Sequence, residues 1–278
     1  MKLRKPLLAG QWYPGSKYEC EELISSFRKN KKPDNKIFGG IVPHAGWIFS
    51  GEIASHVIEA ASYSDPDVVV VFGMHMHPGS ALRIMARGGY ETPLGPLMVD
   101  EGLAESVAEK YSVIYETPEN FEPDNTIEVQ LPFIKYFMGD IPLLCVGLPP
   151  DDSSLNFAVE ALKIVQSRYN NPVIIGSTDL THYGPAYGFM PFGSGIAAVN
   201  AVKENDAEMI KLFETMDSGK IIKKALALQN ACCPGAAAGA VAGAQELGAV
   251  KGVMSEYGTS YEKAGGQSFV GYAGVCFE

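Results

Sequence analysis

Four short apolar runs punctuate the chain, at residues 37–42, 67–72, 141–148 and 172–175. Each is rich in β-branched residues and bounded by Gly, Pro or Asp. Runs of this length and composition predict strands buried on both faces. Residues 269–277 make a fifth candidate. Helical patterns fill the gaps. Ile53, Val57 and Ile58 share one face of a helix that Ser50 can cap and that runs to about Ala61. Asp100 can cap a helix through Tyr111, and Asp152 or Ser153 another ending near Arg168. Asp206 to Met216 and Gly219 to Leu228 read as further helices. Residues 235–247 are dominated by Ala and Gly, which let a helix backbone approach a sheet or another helix closely. The turn-rich stretch 89–100 predicts a hairpin or an irregular loop beside the main sheet. Alternating strands and helices predict an α/β layered fold, a central mixed sheet flanked by helices. With no repeat and no low-complexity linker, residues 1–278 read as a single domain.

Composition supports a sizeable core: 46% of the 278 residues are hydrophobic and 19% charged. The 22 Lys and Arg against 32 Asp and Glu give a net charge of −10. A chain this acidic repels phosphate backbones, so no nucleic-acid partner is expected. No membrane is expected either, because no apolar run approaches the ~20 residues of a spanning helix. Only Leu7-Leu8-Ala9 follows the basic start, too little for a signal peptide. The five Cys are odd in number and scattered, which points to reduced thiols in the cytoplasm.

The histidines change the picture. Ligands gather beyond the carboxyl ends of strands in open α/β sheets. Four of the five His follow such ends: His44 after the first run, His75 and His77 after the second, and His182 after the fourth. His56 falls inside a helix, where a structural role is expected. Imidazole is the commonest metal ligand, so the set points to a mononuclear metal centre. Cys232 and Cys233 precede Pro234 and the Ala/Gly-rich helix, whose N-terminus favours thiolate; they read as a ligand or as two small packed hydrophobes. Asp179 and His182, three apart, can face one pocket with Asp179 orienting the imidazole, or Asp179 can cap a short helix. Glu128 reads as a carboxylate supporting the centre or as part of a capping-box-like helix start. No Walker A loop, Gly-x-Gly-x-x-Gly, Gly-x-Ser-x-Gly or His-Glu-x-x-His occurs, so nucleotide, serine-hydrolase and zinc-protease readings lose their support.

Several pieces, in order, resemble the Memo family, which includes the B component of AmmeMemoRadiSam proteins. They are Gly10-Gln11-Trp12-Tyr13-Pro14, Val42-Pro43-His44-Ala45-Gly46-Trp47, Tyr90-Glu91-Thr92-Pro93-Leu94-Gly95, Ile127-Glu128-Val129-Gln130-Leu131-Pro132 and Ser177-Thr178-Asp179-Leu180-Thr181-His182-Tyr183-Gly184, followed by the Cys232 segment. The resemblance implies the fold of class III extradiol dioxygenases and a non-haem metal site, with iron placed before copper or zinc. It implies His44, a His after the second strand and Cys232 as ligands. It places Asp179 and His182 as acid/base or supporting groups beside a small-molecule substrate. It also implies radical-SAM and AMMECR1-like partners, while some relatives resemble adaptors that bind peptides without turnover. Three departures stand out. Met76 occupies the spacing of the second His, leaving His75, the nearer to the strand end, or His77. Asn125 stands where a His is common, and it cannot shuttle a proton near neutral pH. Cys233 stands where Gly is usual.

Overall fold

The computed structural model describes residues 2–278. In chain order its first elements are β1 (Leu3–Arg4), α1 (Lys17–Phe27), β2 (Gly39–Val42), α2 (Trp47–Ser62), β3 (Val68–Gly73), β4 (Leu82–Met85), β5 (Gly89–Tyr90) and β6 (Leu97–Met98). Then come α3 (Glu101–Ala108), β7 (Val113–Glu116), α4 (Asn125–Glu128), α5 (Leu131–Met138), β8 (Leu143–Gly147), α6 (Asp152–Gln166), β9 (Pro172–Ser177) and β10 (His182–Tyr183). A 3₁₀ turn at Pro185–Tyr187 leads to α7 (Ile196–Glu214), α8 (Ser218–Leu228), α9 (Pro234–Leu247), β11 (Gly252–Thr259), α10 (Ser260–Ala264) and β12 (Phe269–Phe277).

The main sheet runs β10-β12-β2-β9-β3-β8-β4-β7, with β11 also paired to β12. Strands β2, β9, β3 and β8 are parallel neighbours, while β12 and β4 join them antiparallel. The sheet is therefore mixed, with helices on both faces. Gly40 faces Val57 of α2, whereas on β9 Gly176 faces Ala240 of α9. Gly176 pairs with Ile41, the residue after Gly40, and alternation along a strand puts the two helices on opposite faces. All residues of β2, β3, β8, β9 and β12 are buried, which explains their unbroken apolar runs.

The small residues of α9 have a steric reason. A Cβ at Gly235 would lie 2.3 Å from the Leu148 carbonyl oxygen, and one at Gly239 would lie 2.4 Å from the Leu148 side chain. Bulkier residues would push the helix, and the Cys232 segment before it, off the sheet. Residues 89–100 form the hairpin alternative: β5 and β6 pair antiparallel, with β1 alongside, as a separate three-stranded sheet. Among the described residues no helix is long and apolar enough to cross a membrane.

Helix α3 ends at Ala108, three residues short of Tyr111, and α6 has Asp151, not Asp152 or Ser153, at its N-cap. Two helix starts differ further from the sequence reading. Helix α2 begins at Trp47, not after Ser50, because the Trp47 amide bonds the Trp12 carbonyl and its buried indole donates to Val129. Ser50 instead donates to the Ala45 carbonyl. Helix α7 begins ten residues before Asp206, whose buried carboxylate, inside the helix, accepts from Thr181.

Candidate metal centre

Because β2, β9 and β3 lie side by side and parallel, their carboxyl ends deliver three loops to one edge. His44 follows β2, Asp179 follows β9 and His75 follows β3. Between Gly73 and His75 the chain turns through Met74, whose φ of 71° is left-handed. That conformation is uncommon outside Gly, and such residues gather at functional sites. Met74 is locked there by its amide bond to Thr126 Oγ1, 2.7 Å. The fourth contribution comes from the turn before α9. There the Cys232 amide donates to the Asp179 carbonyl, and the Asp179 amide donates to Cys232 Sγ, 3.2 Å.

One ligand atom each of His44, His75, Cys232 and Cys233 lies within 4.8 Å of the others. His77 lies outside this group and lines a neighbouring cavity. His75, which follows the left-handed turn at Met74, is thus the histidine of this loop that joins the group.

Hydrogen bonds fix the tautomers. Ser177 Oγ donates to the Thr126 carbonyl at 2.8 Å, so toward His44 Nδ1, 3.0 Å away, it acts as acceptor. His44 then carries its proton on Nδ1 and turns a free Nε2 toward Cys232 Sγ, 3.2 Å away. His75 is arranged alike: its Nδ1–H donates to Asp124 Oδ2 at 3.0 Å. A ring N–H held by an oxygen acceptor, with the other nitrogen free, is how ligating histidines are oriented.

The electrostatics run the same way. Burial would raise the Cys232 thiol, yet a hydrogen bond from Cys233 and the charge of His44 hold it well below its ordinary value. Burial would lower His44, but Asp179 and Cys232 outweigh it and His44 is raised. His75 is pushed up to about 10, because bonds to Asp124 and Cys232 overcome its burial. Burial pushes Cys233 well up, and its bond to Cys232 adds to this. Protons on the two imidazoles thus offset the Cys232 thiolate, and a metal ion would compete with those protons for the same nitrogen and sulfur atoms.

The remaining sequence candidates surround the group. Asp179 is buried: Oδ1 accepts from the His44 amide at 2.7 Å, and Oδ2 faces His44 Nε2 at 3.8 Å and His182 Nε2 at 4.0 Å. Burial raises its pKa. No helix starts at Asp179; the chain continues extended into β10, so a capping role is absent. His182 packs edge-on against Tyr187. Asn125, the first residue of α4, donates from Nδ2 to the His44 carbonyl at 2.9 Å. Glu128 sits elsewhere: Oε1 accepts from the Leu7 and Leu8 amides at 2.8 and 2.7 Å and from the Tyr13 hydroxyl. It ties the N-terminal segment to α4 and is not among the converging donors. Ser177 and Asp124 hold the two rings, and sequence reasoning missed that role. Their signal was position, immediately before a strand end and before a short helix.

Three cavities open on the centre. One of about 560 Å³ is lined by His44, Asp179, His182 and the rings of Phe49, Tyr187 and Tyr272. Another of about 830 Å³ includes Trp12, Met76, His77 and Arg83. A third of about 590 Å³ reaches Cys232, His182 and His77. His75 borders all three.

A domain of this layered α/β class, with its donors at the carboxyl edge of the sheet, is matched from residue 4 to 276 by the family model described as Memo-like protein. The chain belongs to the Memo family. It is 34% identical over 293 residues to a MEMO1 family protein of Thermococcus onnurineus, covering 99% of both chains. It is 32% identical over 287 residues to one of Pyrococcus furiosus, covering 98% of both. Among solved structures, an uncharacterized protein of Escherichia coli K12 superimposes with a TM-score of 0.54 at 10% identity, covering 81% of this chain and 92% of that one. That likeness concerns the fold alone.

Proposed function

We propose that His44, His75 and Cys232 hold one metal ion and that the chain is a metal-dependent oxidoreductase acting on a small molecule in the adjoining cavity. The observation that carries this reading is the pair of Nδ1–H groups committed to Ser177 and Asp124, leaving two imidazole nitrogens and a thiolate sulfur facing one point. The donor set suits iron, copper or zinc. Bound iron or copper would supply one-electron chemistry beside the cavity, as the dioxygenase resemblance implies, whereas zinc would supply Lewis acidity alone.

The chain's own groups then have distinct tasks. Phe49, Tyr187 and Tyr272 bind the apolar body of the substrate and exclude water. His182, held through Nδ1 by the Leu180 carbonyl at 3.3 Å and with Asp179 Oδ2 4.0 Å from Nε2, is placed to take or give a proton at Nε2. Asn125 lacks a titratable proton, and its Nδ2 is committed to the His44 carbonyl. That commitment favours a second reading, in which the same pocket binds a ligand without turnover.

Metal analysis of anaerobically purified protein tests the centre. His44→Ala and Cys232→Ala are expected well below one equivalent, with Cys20→Ala unchanged; equal content in all three removes the proposal. Turnover assays on metal-loaded protein separate the enzyme from the binding module.

A further inference from the structure

Cys233 is buried in the main core, and its sulfur bonds that of Cys232. It occupies the N-cap of α9 but makes no capping bond there, and Ser, Thr, Asp or Asn would cap better. The family resemblance leads one to expect Gly at this position. Its sulfur lies 3.8 Å from Cys232 Sγ, and it belongs to the group of four converging donors. Two thiolates bound to one tetrahedral ion at ~2.3 Å lie ~3.8 Å apart. The same geometry puts a thiolate ~3.6 Å from an imidazole nitrogen bound at ~2.0–2.1 Å, against 3.2 Å between Cys232 Sγ and His44 Nε2. Both cysteine amides are anchored, Cys232 to the Asp179 carbonyl and Cys233 to Thr178 Oγ1, so neither sulfur needs the backbone to move far.

We infer that Cys233 is a fourth ligand, so that this chain offers two imidazoles and two thiolates to its ion. The inference rests on the proposed metal centre and deepens it. A second thiolate makes the site with a divalent ion neutral, and it favours thiophilic ions of tetrahedral habit, zinc or cuprous copper, over ferrous iron. It also closes the coordination shell. A substrate atom binds the ion only by displacing a ligand, and Cys233, the donor that the Memo resemblance does not call for, is the one to leave.

Cobalt(II) titrated into reduced, anaerobic protein tests this by absorption. Wild type is expected to show intense tetrahedral bands with sulfur-to-cobalt charge transfer. In Cys233→Ala and Cys233→Gly the charge transfer should fall by about half, one thiolate remaining of two, and affinity should drop at least about tenfold. Spectra and affinities equal to wild type overturn the fourth ligand. X-ray absorption of the zinc-loaded wild type needs no variant: two sulfurs at ~2.3 Å support the inference and one refutes it. The parent reading fails separately, if wild type takes up no cobalt or if Cys232→Ala binds it as well as wild type.

Discussion

Two buried histidines, His44 and His56, show what separates a site from a support. His56, on the inner face of α2, has both ring nitrogens occupied: Nδ1 by Glu256 at 2.8 Å and Nε2 by the Phe27 carbonyl at 2.7 Å. It links α1, α2 and β11 and has nothing left to offer. His44 has one nitrogen occupied, by Ser177, and its other nitrogen meets a thiol and a second imidazole. Burial alone does not distinguish them. The difference is the partner: His56 meets two oxygens of the fold, whereas His44 Nε2 meets a sulfur that could share an ion with it. The carboxylates differ in what the second oxygen meets. Glu128 fastens the N-terminal segment through Oε1 and leaves Oε2 without a partner among the described residues, while Asp179 Oδ2 faces two imidazoles.

Exchanging the roles of the two histidines gives the largest expected effect. His44→Ala should weaken metal binding by more than about 100-fold, beyond the loss from removing a supporting group. His56→Ala should leave the metal stoichiometry unchanged and lower unfolding free energy by roughly 1–3 kcal/mol, since it strands Glu256 and the Phe27 carbonyl. Metal-buffer titration and urea unfolding on both variants make the comparison, and matching losses of metal would dissolve it.

Asp124→Asn should come next. Its carboxylate, held far below the usual range against its burial by bonds from His75 and Thr126, orients one ring. Losing the charge should reduce metal affinity about 10- to 100-fold while the fold persists.

A third test concerns Asp206, beneath the Asp179–His182 loop. It accepts from the Thr181 amide, the Thr181 hydroxyl and the Tyr257 hydroxyl, yet burial pushes its pKa up to about 7. A carboxyl whose folded value exceeds its unfolded one binds a proton on folding. Its contribution is full below about pH 4 and is lost as pH rises through about 7. Asp206→Asn should therefore remove a decline in stability across that window, seen as the difference between urea midpoints of variant and wild type. Parallel pH profiles would contradict it. The smallest effect is expected at His77: His77→Ala should leave metal content and affinity at wild-type values, and a loss there would return the second ligand to the other register.

The central strands were legible because burial on both faces leaves an unbroken apolar signature. Edge strands were not. β7 leaves Ile114 and Tyr115 exposed, and β11 is half-exposed for most of its length; such strands owe their pairing to neighbours more than to their own pattern. The donors were legible as histidines just past strand ends. Position nearest the strand end also favoured His75 over His77, and it is His75 that joins the converging group; the left-handed residue between it and the strand was not legible. Nor were Ser177 and Asp124 legible as ring holders, since that role depends on where a distant segment lands.

Strand β12 sits between β2 and β10, and its Gly271 exchanges backbone bonds with Leu180 and Thr181 in the loop that carries Asp179. This strand lies more than two hundred residues beyond His44 in the sequence. The loop that carries Asp179 is therefore held in place by a contact distant along the chain, and the four donors converge only when the whole sheet has formed.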